Sequence, residues 1–403
     1  MENNTSNIVN DIKNLIKNYM TDTDAGDFIK GLEKDISVKT DEELSLSKLE
    51  KEQVEYELPK GTKHRLIIDK VITDCERLLP EEKYFNLVLG LSQLMLFAGE
   101  NSFSLEIAED LLKRLNTENK YPLIIAETNL MISRVHWAQA YWEDCDYYVS
   151  EAMKIYRSIE SKSGMAKCEN MLGTLYGEKG EFNKAQEHLE YALIYLKDDE
   201  DLLSHAMILT NLGIINAIQG DYEKAVWNCK KSAEKFEKLN DTRRLSRVYH
   251  NIGMLYTKLE DYDAALDEFN KCITISLDND YLSNCAVAYI GKAFIYTKWK
   301  NFALADAYTN KAMEIAYKIN DTLSIADIYK IKGMIQNDLE NFQLSEELFE
   351  NSIRLNKDMD NKYNEAETST EIGKLLKKSE RKEEAEKFIL SAENYFKKLK
   401  KKD

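Results

Sequence analysis

The sequence predicts an all-α fold: a right-handed superhelical solenoid of about seven helical hairpins behind an N-terminal helical cap or bundle. Three observations predict this fold class. The 403 residues include only three prolines and fifteen glycines, too few for the many turns of a β-rich fold. All three prolines precede residue 123, so the rest of the chain lacks the strongest helix breaker. Four sets of residues also recur at a spacing of 40 positions.

The repeat consists of four columns in one register, of which two are most regular. The small column reads Gly173, Gly213, Gly253, Ala293, Gly333 and Gly373. The aromatic column reads Phe182, Tyr222, Tyr262, Phe302 and Phe342. A looser copy lies one period earlier, around Ser133, and a more divergent one around residue 93. Units of this size cannot bury their apolar faces alone, so we expect them to stack on their neighbours.

The unit around Gly253 shows why each repeat is expected to be a helical hairpin. Apolar residues recur at helical spacing over Leu245–Leu259, and again over Tyr262–Leu277. Glu260 and Asp261 form the turn between these two helices. Small residues in the columns allow the two backbones to approach closely, while the ring of Tyr262 fills the turn.

The N-terminal third departs from this register and predicts a separate helical region. Its expected helices are Ile8–Met20, Phe28–Ile36, Leu44–Leu58, Arg65–Leu79 and Glu82–Phe97, with an interruption at Pro59. We therefore divide the chain into an N-terminal helical region (1–80), a divergent first hairpin or cap (81–122) and a solenoid (123–403).

The net charge, the cysteines and the N-terminal sequence indicate which binding partners and which cellular location to expect. The 55 Lys and Arg and 71 Asp and Glu give a net charge of −16, which repels phosphate backbones and anionic lipids. We therefore expect no nucleic acid and no membrane partner. The six cysteines contain no C-x-x-C pair and are expected to be reduced thiols. The N-terminus lacks a secretory signal, and the apolar stretch Leu87–Ala98 is too short to span a bilayer. These features predict a cytoplasmic protein.

No group of residues predicts catalysis, a metal site or a cofactor. The five histidines form neither H-x-x-x-H nor H-E-x-x-H. Gly173, Gly177 and Gly180 resemble a phosphate loop superficially, but the repeat explains Gly173 as packing and Gly180 as a turn. The acidic stretch Asp22–Asp27 lacks the spacing of a calcium loop. We predict a protein that is not an enzyme.

The candidate binding site lies on the first helices of the hairpins, which line the concave side of such an array. A concave face of this kind holds an extended peptide or a partner helix. The candidates are residues that repeat packing does not require: Arg134, Trp137, Asn170, Asn211, Arg247, His250, Asn251 and Lys298. An Asn amide can both donate to and accept from a peptide unit of the ligand, and Arg or Lys would hold a carboxylate.

A structural interpretation of these residues stays open. An Asn close to a packing glycine can instead bond within its own hairpin. His250 can be a half-buried spacer, the charges a solvated face, and Trp137 a core residue beside Trp142.

The columns resemble the tetratricopeptide repeat, in which a small residue, an aromatic residue that opens the second helix and an alanine follow one another. Gly253, Tyr256, Tyr262 and Ala265 show this pattern. The period of 40 exceeds the usual 34 and implies longer helices. HEAT and armadillo repeats have the right length but lack the pattern. The resemblance implies a scaffold that binds other molecules.

A narrower resemblance is to the Rap-type intracellular peptide receptors of Firmicutes, which place Asn-Ile-Gly on a concave helix. It implies that Asn211 and Asn251 clamp a short signalling peptide, and that the N-terminal region engages a response regulator or a transcription regulator. Gln53 is the counterpart of the glutamine used on phosphoaspartate, although Pro59 interrupts the helix where the family's continues. We predict a non-catalytic peptide- or protein-binding regulator. A passive adaptor and a Rap-like phosphatase are the alternatives.

Overall fold

The computed structural model describes residues 2–32, 62–118, 120–196 and 201–400. These ranges are helical and contain no β-strand, which confirms the all-α fold class. The predicted helix Leu44–Leu58 and Gln53 lie outside the described residues. The chain divides into two compact units, Met1–Leu175 and Tyr176–Asp403.

The first unit begins with helices that lie outside the repeat register. Its helices are α1 (Glu2–Lys17), α2 (22–32), α3 (Thr62–Leu78), α4 (Glu81–Phe97), α5 (Asn101–Glu118), α6 (Pro122–Ala138), α7 (Trp142–Ser158) and α8 (Lys162–Glu178), which extends past the boundary. Helix α2 begins six residues before the predicted start at Phe28, because Thr21 Oγ1 accepts a hydrogen bond from the Asp24 N–H at 3.3 Å and caps the helix.

The most divergent repeat copy is a true hairpin, formed by α4 and α5. Where the two helices meet, Ser92 and Ser104 exchange hydrogen bonds. Each hydroxyl donates to the other residue's carbonyl, at 2.8 and 2.7 Å. These buried serines therefore allow α4 and α5 to approach each other closely, as the small residues of the columns do for the helices of the regular repeats. Around them, α1, α3, α4 and α5 share a core that includes Ile16, Ile68 and Leu91.

The second unit consists of paired helices in one register. They are α9 (Phe182–Tyr195), α10 (Leu202–Gln219), α11 (Tyr222–Lys238), α12 (Thr242–Lys258), α13 (Tyr262–Asp278), α14 (Leu282–Lys298), α15 (Phe302–Ile319), α16 (Thr322–Asp338), α17 (Phe342–Asp358), α18 (Lys362–Lys378) and α19 (Lys382–Lys400). Helices α10/α11, α12/α13, α14/α15, α16/α17 and α18/α19 pack as hairpins. The odd-numbered helices from α9 to α17 each begin at the aromatic residue of the column, as predicted.

The small column is explained by contacts between the two helices of a hairpin. A Cβ atom on Gly253 would lie 2.7 Å from the buried ring of Phe269, and one on Gly333 would lie 2.7 Å from Phe349. A Cβ on Gly213 would lie 2.5 Å from Cys229 Sγ. Real Cβ atoms do not approach other atoms so closely, so these glycines set the distance between the helices.

The turns follow a period half as long as the repeat. Among the described residues from 140 to 380, every twentieth position has a positive φ: Ala140, Glu160, Gly180, Gly220, Asn240, Glu260, Asp280, Lys300, Asn320, Glu340, Asp360 and Glu380. Turns within hairpins and turns between hairpins therefore share one geometry. Most of these residues are not glycine, although the left-handed region costs an L-residue about 1 kcal/mol.

The first helices line the inner side of the second unit. Contacts join α12 to α14, α14 to α16 and α16 to α18, whereas successive second helices make no comparable contact in the described ranges. An array curves toward the side on which its helices are closer. Lys258 of α12 also interacts electrostatically with Glu367 of α18, so the face that carries both side chains is concave.

Candidate functional site

The predicted site residues are divided between the two units. Arg134, Trp137 and Asn170 lie in the first unit. The other five lie in the second unit, on three successive first helices, and these are Asn211 of α10, Arg247, His250 and Asn251 of α12, and Lys298 of α14. The sequence-based choice therefore identifies two separate sets of residues.

In the first unit, the three residues are engaged with the hairpin core. Trp137 packs with Trp142 against the cluster that contains Tyr156. Arg134 is half-buried and acts electrostatically on the buried Cys168 thiol. The carbonyl of half-buried Asn170 accepts a hydrogen bond from Thr174 Oγ1 at 2.9 Å. This placement supports the interpretation of Trp137 as a core residue.

In the second unit, one face of the first helices carries the predicted residues. Arg247, His250, Met254 and Lys258 follow one another at intervals of three or four residues, which places them on one side of α12. Glu367 occupies the repeat position of Arg247 and interacts with Lys258 across the concave side. This series of positions is therefore the concave face of the second unit.

His250 is neutral at physiological pH. Burial lowers the pKa of His250 to about 4; the hydrogen bond with Asn251 opposes this shift, and Arg247 adds a smaller effect in the same direction as burial. The imidazole also lies against Phe269, with ring centroids 5.9 Å apart. These contacts support the interpretation of His250 as a half-buried spacer that orients Asn251.

Arg247 and Lys298 are exposed cations without a carboxylate partner. Neither forms an ion pair with any residue that the structure describes. The Lys298 ammonium lies 5.1 Å from the centroid of the Phe294 ring, a cation–π distance. Both charges are therefore available to a ligand on the concave face.

The structure adds an apolar stripe that the sequence analysis did not single out. It consists of Ile214, Met254, Phe294 and Met334, which occupy the same position of four successive first helices. Ile214 is 44% exposed and Met254 is 39% exposed, while Phe294 and Met334 are half-buried. Each lies three residues after the repeat position that Asn211 occupies in α10 and Asn251 occupies in α12. In sequence these residues resemble ordinary core positions of an amphipathic helix, so the repeat pattern did not reveal the exposure of Ile214 and Met254.

The same face is charge-paired at α16 and α18. Lys330 Nζ lies 3.1 Å from Asp327 Oδ1 and 2.9 Å from Glu367 Oε2. Burial alone would lower the pKa of Lys330, but the two carboxylates raise it above its usual value. Burial alone would raise the pKa of Glu367, but Lys330, and to a smaller degree Lys258, lower it. Lys330, Asp327 and Glu367 are therefore paired with one another and do not need a ligand to balance their charges.

Two further findings concern other kinds of site. No group of three or more His, Cys, Asp or Glu is placed to hold a metal ion in the part of the chain that the structure describes. Helix α10 is long and apolar enough to cross a membrane by length and composition, unlike the shorter stretch Leu87–Ala98. Half of α10 is buried inside the protein, where it packs on α9 and α11.

Comparison with known proteins agrees with this architecture. Residues 204–278 match the tetratricopeptide repeat family. The matched segment is therefore a tetratricopeptide repeat region, as the columns predicted, and the chain shares its fold with solved Rap and NprR structures.

The apo quorum sensor NprR from B. thuringiensis superposes with a TM-score of 0.60 at 17% identity, over 90% of this chain and 99% of that chain. A Rap protein complexed with Competence and Sporulation Factor gives a TM-score of 0.59 at 15% identity, over 92% of this chain and 99% of that chain. The Tonsoku-like protein of Drosophila melanogaster is 23% identical over 190 residues, which is 42% of this chain but only 14% of that protein's length. At these identities the likeness shows the fold alone.

Proposed function

We propose that the protein is a non-catalytic, cytoplasmic regulator that binds a peptide or protein segment on the concave face of its second unit. The observation that carries this proposal is the apolar stripe, whose two exposed and two half-buried residues lie on four successive first helices beside Asn211 and Asn251. Aligned apolar residues that remain exposed in a helical array favour a binding surface. The two methionines suit such a surface, because their side chains adapt to different ligands.

The spacing of the stripe fits an extended peptide. Packed helices lie about 8–10 Å apart, and a peptide in the extended polyproline II conformation advances about 3.1 Å per residue with three residues per turn. Every third residue of a ligand would therefore meet the next residue of the stripe. Asn211 and Asn251 would hold the ligand backbone between these contacts. A ligand that crosses from α10 to α16 would be about ten residues long.

Binding would also change the curvature of the second unit. A ligand that contacts four successive first helices favours the curvature in which all four contacts form together. The fold shared with the quorum sensor NprR and with a Rap protein complexed with a signalling factor supports a peptide as the ligand. A response regulator or a transcription regulator is the corresponding protein partner.

Selection from a library of random decapeptides, followed by calorimetry, tests the binding proposal. Met254→Ser should weaken binding of the selected peptides about tenfold, the effect of removing one buried apolar side chain. The matched control is Leu304→Ser on the second helix α15, because Leu304 is 40% exposed and Met254 is 39% exposed. Equal affinities for the two variants, or no selected peptide, would refute the proposal.

Small-angle scattering separates a switched regulator from the passive adaptor. The switched regulator should change its dimensions when the selected peptide is added. The adaptor should not, and its affinity should not respond to Asn251→Ala. The phosphatase alternative depends on Gln53. Release of phosphate from a phosphorylated response regulator, abolished by Gln53→Ala, would establish that alternative.

A further inference from the structure

The three first helices that carry Asn211, Asn251 and Lys298 contain no acidic residue. Neither Asp nor Glu occurs in α10, α12 or α14, although the chain holds 71 of them among 403 residues. The second helices that alternate with them, α11, α13 and α15, each contain acidic residues, as do the later first helices α16 and α18. The depletion is therefore confined to one stretch of the concave face, which we call the acid-free wall (α10, α12 and α14).

The acidic residues that directly precede α10 and α12 act as caps at the starts of these helices. Asp201 and Asp241 cap α10 and α12, where they accept hydrogen bonds from the N–H groups of Ser204 and Arg244. These caps stabilise the helix starts and lie two turns or more before the stripe. Within the wall itself, the concave face carries only uncharged or cationic side chains.

Three cations border the stripe on the wall. Arg247 lies two turns before Met254 on α12, and Lys298 lies one turn after Phe294 on α14, at about 1.5 Å per residue along each helix. Lys258 lies one turn after Met254 and is partly offset by Glu367. His250 is neutral and adds no charge. The wall is thus a positively charged surface on a protein with a net charge of −16.

Solubility does not account for this arrangement. A solvated face carries charges of both signs, and a strongly acidic chain would place carboxylates there as it does on its other helices. Unpaired cations beside exposed apolar residues instead favour a ligand that is both apolar and anionic.

We propose that the acid-free wall selects an acidic peptide, with an apolar residue at every third position and carboxylate side chains between the apolar ones. This inference rests on the proposed function and specifies its ligand. Apolar side chains would cover Ile214, Met254 and Phe294. Because a polyproline II peptide has three residues per turn, the two residues between successive apolar ones point away on either side, and their carboxylates would reach Arg247 on one edge of the stripe and Lys298 on the other. Nucleic acid fits less well, since a few cations on an acidic protein neutralise few phosphates.

Fluorescence anisotropy with three labelled decapeptides tests this inference. All three carry Leu at every third position, and the remaining positions hold a mixture of Ser with Glu, with Gln or with Lys. At 50 mM salt the Glu peptide should bind at least about tenfold more tightly than the Gln peptide, and the difference should shrink as salt rises.

Charge reversal on the wall provides the second arm. Arg247→Glu and Lys298→Glu should each remove the preference for the Glu peptide, and together they should favour the Lys peptide. The matched control is Lys224→Glu, which reverses an exposed lysine on the second helix α11 and should leave the preference unchanged. Circular dichroism and thermal unfolding verify that each variant is folded.

The remaining outcomes overturn the inference in distinguishable ways. If the Gln or Lys peptide binds most tightly and Met254→Ser weakens it, the charge assignment is wrong and the proposed function stands. If none of the three peptides binds, both fail. Tighter binding of a ten-nucleotide oligouridylate than of the Glu peptide would replace the peptide with a nucleic acid. An equal loss in Lys224→Glu would show a non-specific charge effect and overturn the site.

Discussion

The acid-free wall and the charge-paired end of the second unit are built on the same repeat and use their cations in opposite ways. At the charge-paired end, Lys330 is enclosed by Asp327 and Glu367. On the wall, Arg247 and Lys298 are exposed and have no ion pair with a described residue. The packing columns are common to both regions, so the backbone does not cause the difference. A cation satisfied within the protein contributes to the fold, whereas one left without a partner is available to a ligand.

The largest expected difference between the two regions is in stability. Lys330→Met leaves two carboxylates facing each other and should lower the free energy of unfolding by about 2–3 kcal/mol, less than for a fully buried pair. Lys298→Met, on the wall, should change it by no more than about 0.5 kcal/mol. Urea denaturation measures both values. Adding Asp327→Asn and Glu367→Gln to Lys330→Met should recover most of the loss, and equal effects of the two lysine substitutions would contradict the comparison.

Acid should destabilise the two regions in different pH ranges. The pKa of His250 is lowered to about 4 in the folded protein, so folding favours the neutral ring. The stabilisation from neutral His250 is complete above the unfolded pKa of about 6.5. It is lost as the pH falls from there to about 4, by an amount on the order of 3 kcal/mol.

The pKa of Glu367 is also lowered, because Lys330 outweighs the effect of burial. The contribution of ionised Glu367 to the free energy of unfolding is complete above the unfolded pKa of about 4.3. It is lost as the pH falls below that value. Urea midpoints measured from pH 8 to pH 3 should therefore respond to His250→Gln mainly in the upper range and to Glu367→Gln in the lower range. A single range for both variants would be inconsistent with this assignment.

Packing between the helices of a hairpin should be equally tight in both regions. Gly253→Ala on the wall and Gly333→Ala at the charge-paired end each place a Cβ 2.7 Å from a buried Phe ring. Each should lower the free energy of unfolding by about 1–2 kcal/mol. Gly26→Ala in α2 is the control, because no atom lies within 4 Å of its added Cβ. If Gly253→Ala or Gly333→Ala lowers the free energy of unfolding no more than Gly26→Ala does, close contact between the helices does not explain the glycines of the small column.

The smallest expected effect is a gain in stability at the turns. Glu260 and Glu340 both have a φ of 61° and end α12 and α16, respectively. Glu260→Gly and Glu340→Gly should each raise the free energy of unfolding by about 0.5–1 kcal/mol, because glycine adopts this conformation without steric cost. Thermal unfolding should show equal gains. Unequal gains would indicate that the two regions differ in backbone geometry as well as in charge.

The hairpins could be predicted from sequence because their determinants are local. Glycine and alanine columns, aromatic residues at helix starts and helical periodicity all act within one repeat. The start of α2 was less predictable, because the capping residue Thr21 lies well before Phe28, the first large apolar residue of the helix.

The candidate site was predictable only in part. Asn211, Arg247, His250, Asn251 and Lys298 lie on the first helices, as the sequence analysis expected. The exposure of Met254 and the ion pair between Lys330 and Glu367 depend on how strongly the array curves. Curvature arises from the packing of successive hairpins, and a residue pattern within one hairpin does not encode it.

The uniform turn has a consequence for how this chain can change in length. Because a positive-φ residue follows each helix from α10 to α18 at the same 20-residue step, the junctions inside and between these hairpins are interchangeable. A duplication or deletion of 40 consecutive residues would restore the same backbone at its ends, wherever the break falls between α10 and α18. The second unit can thus gain or lose a hairpin through one genetic event, and with it one position of the binding face.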